Sequence, residues 1–318
     1  MPGFTSHYLF GVQTYKSITD RTLCRLIQNH HYSYALGLQG PDLFFYHPAS
    51  ALRFGPFGPS PGPIAHEVQT GKFLTHLTAS IMQFPLPEEK EIAIAYLAGF
   101  YGHYTLDRIC HPFVYARTAY DETDKAYFGR HCKLETDIDA QFLMQQKALT
   151  PLEFSQANTI ALSAQEIRVI SKMLSYAYHY TYRKPRISAR YAASAIRSFQ
   201  RGLRMLVDPH GWKREGLRAA ETFFLGHEHF TGMIAIPRGT FHEDPCNFSH
   251  NPWRSPWEPE TLHKESFFDL VAISREEYQK LVPFLAKLCT LTPCDYTALP
   301  TLPEDIRAGY SFCTGQPT

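Results

Sequence analysis

The chain has 318 residues, 44% of them hydrophobic, and its 31 Lys+Arg stand against 30 Asp+Glu for a formal net charge of +1. That apolar content sustains a buried core and excludes general disorder, while the charge balance argues against a stable nucleic-acid partner, which would draw on a surplus of basic residues. The longest apolar stretch, around Ile92–Tyr101, falls far short of the roughly 20 residues that cross a bilayer, so no transmembrane segment is expected.

Met1–Asp20 lacks the basic start, apolar core and small-residue cleavage site of a Sec signal. The pattern reads as cytoplasmic, with export by another route left open. Arg21–Leu36 then reads as a helix after the Ser17/Asp20 start signal. Arg53 to Pro63, dense in Pro and Gly, reads as a surface loop. A second helix is expected from Glu67 to Met82. Pro87 opens a third, with Glu88, Glu89 and Glu91 at the positive end of its dipole and Pro112 as its stop.

A fourth helix is expected from Arg130 to Gln146. Ser163 with Glu166 spells a capping box before Ile167, Ile170 and Leu174, and another helix covers Ser188–Leu206. Pro237 to Glu260, carrying Trp253 and Trp257, reads as irregular. A last helix follows Ser274/Glu277, kinked or cut short at Pro283. These patterns give an all-α fold, one domain over residues 1–318 with a looser C-terminal part after residue 150.

Seven cysteines without a CxxC spacing read as free thiols. Sixteen histidines, about twice ordinary usage, direct attention to metal chemistry. His103, Asp107 and His111 recur every four residues, which puts them on one face of a helix whose neighbours are mostly apolar. His131 and Glu135 repeat the spacing on the next helix. Imidazoles and carboxylates in such stripes suit Zn²⁺ or a similar ion, and antiparallel packing would bring the two stripes face to face.

Asp42, in Gly40-Pro41-Asp42, and His66 and His7 are unremarkable singly. In the order His7, Gly40-Pro41-Asp42, His66, His103-x₃-Asp107-x₃-His111, His131-x₃-Glu135, the set resembles the zinc-dependent phospholipase C family over roughly residues 1–150. That family shares its fold with the single-strand-specific zinc nucleases. The resemblance implies a phospholipase C/zinc nuclease-like helical bundle with long loops, holding two or three Zn²⁺ ions. Asp42, His66, His103 and Asp107 would hold one ion, and His111, His131 and Glu135 a second. Asp107 would bridge to a third bound by His7 and the N-terminal amine and carbonyl.

Two features depart from the family pattern. The chain begins Met1-Pro2-Gly3, where secreted members present a processed Trp, so the filling of the third site stays open. The step from Asp107 to His111 is also shorter than in well-known members. The implied activity is phospholipase C-like hydrolysis of a phosphodiester by a metal-bound hydroxide, with Asp42 orienting or deprotonating the water. A nuclease or nucleotidase on the same scaffold, or a non-catalytic metal-binding protein, are the alternatives. The substrate is a phosphate ester, with phospholipid the named case; the oligomeric state is not legible.

Weaker signals surround this set. Phe54 and Phe57 would line the cleft mouth or plug their loop onto the body. Arg190, Arg197, Arg201 and Arg204 mark a solvated helix face more readily than a phosphate surface. His227, His229, His242, His250 and Cys246 match no zinc-binding spacing and read as loop and cap residues, with Trp253 and Trp257 as anchors.

Overall fold

The computed structural model describes residues 3–48, 60–235, 244–291 and 299–318. Among the described residues helices dominate, with one two-stranded antiparallel hairpin, so the fold is all-α with the helical bundle expected. The organising element is α6 (Pro87–Arg117), following α1 (Phe4–Ser17), α2 (Arg21–Asn29), α3 (His31–Gly37), α4 (Pro61–Glu67) and α5 (Thr70–Ala79). After it come α7 (Tyr127–Lys147), α8 (Ala164–Thr181), α9 (Ala189–Met205) and α10 (Trp212–Leu225). The hairpin of β1 (Trp253–Ser255) and β2 (Glu258–His263) precedes α11 (Phe267–Thr290) and the short α12 (Glu304–Ala308).

Helix α6 is apolar nearly all round, from Ile92 and Tyr96 through Phe100 and Tyr104 to Phe113, which is the signature of a helix at the centre of a core. On one side α3 crosses it at Gly37 and Gly99. A Cβ on Gly99 would lie 2.1 Å from the Tyr34 carbonyl oxygen, and one on Gly37 2.1 Å from that of Tyr96. On another side lies α11, whose Tyr278 hydroxyl donates to the Ala98 carbonyl at 3.0 Å. Trp253 of β1 meets Phe113 edge to face, 5.4 Å between centroids.

Several boundaries differ from the sequence expectation. Arg21–Leu36 is two helices, α2 capped by Asp20 at the Leu23 N–H and α3 beginning after a break at His30. Pro61 and Pro63 open α4 instead of closing a loop, since proline suits a helix's first turn; residues 49–59, Phe54 and Phe57 among them, lie outside the described residues. The helix expected from Glu67 starts at Thr70, after Gln69 in a left-handed conformation, and ends in a 3-10 turn.

Neither internal proline stops its helix. Helix α6 continues past Pro112 to Arg117, and α11 passes Pro283. Burial of Cys110, Phe113 and Val114 around the first, and of Val282, Phe284 and Leu285 around the second, outweighs one lost hydrogen bond. Helix α11 also starts earlier than expected, at a Ser266/Asp269 capping box. Helices α1 and α10 and the hairpin were not foreseen, whereas the Ser163/Glu166 box and the Ser188 cap occur where the sequence places them.

Candidate metal centre

Four successive local causes bring the polar residues of the first half of the chain to one place. Helix α6 carries His103, Asp107 and His111 along a single face. Helix α7 carries His131 and Glu135 and, one turn on, Asp139. The Asp139 carboxylate accepts the Thr5 and Ser6 backbone N–H groups, both at 2.8 Å, so it caps α1 and fixes the neighbouring His7. Burial pushes the Asp139 carboxyl up to about 6 against the pull of these bonds.

The fourth cause is Gly40. It turns the chain out of α3 at φ +48° into the 3-10 turn Gly40–Tyr46, which carries Asp42. A Cβ there would sit 2.1 Å from His103 Cδ2, so only glycine lets the turn lie against that ring.

Each imidazole but His7 is held from behind. Nδ1 of His66 lies 2.8 Å from the Gly62 carbonyl oxygen, that of His103 3.2 Å from Leu38, and that of His111 2.8 Å from Phe312. A carbonyl can only accept, so Nδ1 carries the proton and Nε2 keeps its lone pair, the tautomer a metal requires. Nδ1 of His131 lies 2.8 Å from the Tyr127 hydroxyl.

At the centre, Asp107 Oδ1 lies 3.1 Å from His7 Nε2 and Oδ2 lies 3.2 Å from His103 Nε2. Asp42 Oδ1 lies 3.1 Å from His66 Nε2 and 3.9 Å from His103 Nε2. Glu135 Oε1 lies 2.8 Å from His131 Nε2 and 3.8 Å from His111 Nε2. The eight residues singled out in the sequence thus fall into three groups: His7, His103 and Asp107; Asp42, His66 and His103; His111, His131 and Glu135. Within each, the candidate ligand atoms lie inside 4.8 Å of one another.

This donor set fits divalent ions. His7 Nε2, Asp42 Oδ1, His66 Nε2, His103 Nε2 and both Asp107 oxygens are buried without a hydrogen-bond partner among the described residues. Such orphaned atoms converging on one point are costly unless a cation satisfies them. The ion pairs of Asp42 and Asp107 among the described residues are all with imidazoles. Without a metal the charges separate. Burial pushes Asp42 well above the usual carboxylate range, with Asp107 adding to the effect against the pull of His103. Burial also acts on Asp107, but the His103 and His7 imidazoles outweigh it and hold that carboxyl well below the range. Burial lowers His66, His103 and His131, leaving them neutral and ready to ligate. Glu135 is lowered by His131 in spite of its own burial.

The centre opens into a cavity of about 430 Å³. Asp42, His66, His111, His131 and Glu135 are at its polar end, and Phe45, Leu152, Phe154, Phe199 and Leu203 give it apolar walls.

Sequence reasoning missed the supports. The carbonyls of Leu38, Gly62 and Phe312 have no side-chain signature, and Phe312 lies far along the chain; Asp139, however, extends the His131/Glu135 stripe by one more turn. The C-terminal histidines form no metal group among the described residues. His227 and His250 bond the carbonyls of Leu225 and Lys264, and His242 lies outside the described residues. Trp253 donates to the Glu265 carbonyl at 3.0 Å and Trp257 packs on Tyr115, as anchors would.

No curated protein is matched, and no solved structure. The family model of zinc dependent phospholipase C matches residues 6–197, more than half of the chain and a span containing all of the candidate ligands. The chain belongs to the zinc-dependent phospholipase C family.

Proposed function

We propose that the protein is a zinc-dependent phosphoric ester hydrolase that cleaves phospholipid on the glycerol side of the phosphate. The observation that carries this reading is the position of two of the three ligand groups, through Asp42 and His66 and through His111, His131 and Glu135, at an apolar-walled cavity, with the buried group of His7, His103 and Asp107 sharing His103 with the first of them. In this reading His7, Asp42, His66, His103, Asp107, His111, His131 and Glu135 hold two or three ions. Zinc bound there would supply Lewis-acid polarisation of a phosphoryl oxygen and lower the pKa of water toward neutrality.

The chain's own residues do the rest. The carbonyls behind His66, His103 and His111 keep Nε2 aimed at the centre. Asp42, at the cavity surface, is placed to orient the attacking water or to take its proton. Phe45, Leu152 and Phe154 pack lipid chains and thin the water around the reacting phosphorus. No Lys or Arg lines the cavity among the described residues, which favours a phospholipid over the polyanionic strand of the nuclease reading. Cytoplasmic residence belongs to the same reading and is supported by the free thiols of the described cysteines.

The test compares zinc-loaded wild type with His103→Ala on a short-chain phosphatidylcholine, single-stranded DNA and a nucleoside monophosphate. Release of phosphocholine by wild type and its loss in His103→Ala is the expected result. Preference for DNA or nucleotide would move the activity to the nuclease branch, and tight zinc binding without turnover on any of them would leave a metal-binding protein.

A further inference from the structure

Helix α10 is built inside out. Its one buried residue is Glu221, whose carboxylate accepts the backbone N–H groups of His229, Phe230 and Thr231 at 2.8, 2.7 and 3.1 Å, and the Thr231 hydroxyl at 2.7 Å. Polar side chains tie the same helix down at its start. Lys213 Nζ donates to the Val207 carbonyl at 2.8 Å, and Arg214 donates to the Ile234 carbonyl at 2.9 Å. Trp212 and Phe223, eleven residues apart, fall on one face of the helix, roughly opposite Glu221. That face looks outward, with Phe224 exposed about a quarter turn round from it: Trp212 is 80% exposed, Phe223 82% and Phe224 79%. A soluble helix normally buries its apolar side and shows its charges; this one does the reverse.

Two further observations say what the face meets. Residues 183–218 hold ten Lys and Arg against two Asp and Glu, in a chain whose net charge is only +1. Arg190, Arg197, Arg201 and Arg204 of α9 are all exposed, as is Lys213 next to Trp212, whereas Arg218 pairs with Glu215 away from the aromatic face. The same segment also borders the cavity: Leu206, Val207, Met233 and Ala235, which flank α10 in sequence, line it, and Met205 stands 70% exposed next to them.

We propose that the Trp212/Phe223/Phe224 face, with the basic residues around it, docks the protein on an anionic phospholipid bilayer and so brings the cavity mouth to the lipid surface. The purpose of this docking rests on the phospholipid reading above. Aromatic rings inserted at the headgroup boundary and Lys or Arg paired with anionic headgroups are the two attractions that hold interfacial helices. A second copy of the chain is the poorer occupant, because a two-fold contact through this face would set the two basic segments against each other.

The experiment uses the full, zinc-loaded chain with phosphatidylcholine vesicles, with and without phosphatidylserine. Co-sedimentation and tryptophan emission are read for wild type and for Phe223→Ser/Phe224→Ser; both rings are exposed, so the core is untouched. Wild type is expected to bind the phosphatidylserine vesicles with a blue-shifted emission and to release them at high salt. The double variant is expected to lose at least about tenfold in vesicle partitioning, with zinc content and hydrolysis of a monomeric short-chain phospholipid unchanged. Equal vesicle binding by variant and wild type would overturn the proposal, as would absence of binding by wild type. Concentration-dependent dimerisation abolished by the double substitution would overturn it in favour of self-association. Vesicle binding without hydrolysis of any phospholipid would uphold the docking face while removing the hydrolase reading; short-chain hydrolysis without vesicle binding would do the opposite.

Discussion

Nδ1 of His111 donates to the carbonyl oxygen of Phe312 at 2.8 Å, so a residue six from the last one described orients a candidate ligand 201 positions earlier. The tie is reciprocal in space. The Phe312 N–H donates to the His66 carbonyl at 2.8 Å, and the Phe312 ring packs at 5.1 Å from His66 and 5.6 Å from His103. The C-terminal segment is thereby part of the support of the candidate metal centre.

Truncation after Ala308 should therefore weaken zinc binding by about 10–100-fold, the usual cost of removing the group behind a ligating histidine. Helix α6 and its packing on α3 and α11 would remain, so helical circular dichroism should be little changed. A competitive zinc titration against a chelating dye checks the first expectation; unchanged affinity would mean the segment is only a cover.

Gly40→Ala and Gly99→Ala should fail in different ways. Alanine at 40 must adopt φ +48° and press on His103, which adds about 1–2 kcal/mol of left-handed strain and displaces a candidate ligand. Its zinc affinity should fall with its stability. Alanine at 99 wedges α3 from α6 and should cost about 1–3 kcal/mol by overpacking. Urea melts of the zinc-free proteins, paired with zinc titrations, separate the two effects.

In the zinc-free chain, the buried histidines should lower stability as the solution is acidified through the imidazole range, against an opposing contribution from the raised Asp42 and Asp139 carboxyls. Burial lowers His66, His103 and His131 below the ordinary 6.5. Below that value the unfolded chain therefore binds protons that the folded chain refuses, and stability declines toward the depressed folded values. Above 6.5 the contribution is fully present. The histidine share of the urea midpoints from about pH 8 to about pH 5, read as the difference between wild type and His66→Gln/His131→Gln, should be flat at first and then drop. An unaltered profile in the double variant would place the titration elsewhere.

Much of this was legible because helical spacing is geometric. His103-x₃-Asp107-x₃-His111 and His131-x₃-Glu135 lie on faces that any helix would create, and the structure sets those faces together. The start of α11 was missed because Phe267–Leu270 resembles a continuing loop until Ser266 and Asp269 are seen capping it. Pro112 and Pro283 misled for the opposite reason: local propensity predicts a stop, and burial on both sides overrides it. Helix α10 escaped because its apolar residues face solvent and its buried one is a glutamate, which inverts the pattern that periodicity reads. The carbonyls of Leu38, Gly62 and Phe312 could not be read at all, since backbone groups take their roles from tertiary placement.

The most direct test is zinc per chain, by elemental analysis of protein purified without chelators, for wild type, His131→Ala and Asp107→Asn. The account predicts two or three zinc ions in wild type, a loss confined to one ion in His131→Ala, and a larger loss in Asp107→Asn, whose carboxylate lies within 4 Å of His7, His66 and His103. Less than one zinc per wild-type chain after reconstitution, with neither substitution changing it, would contradict the metal centre itself.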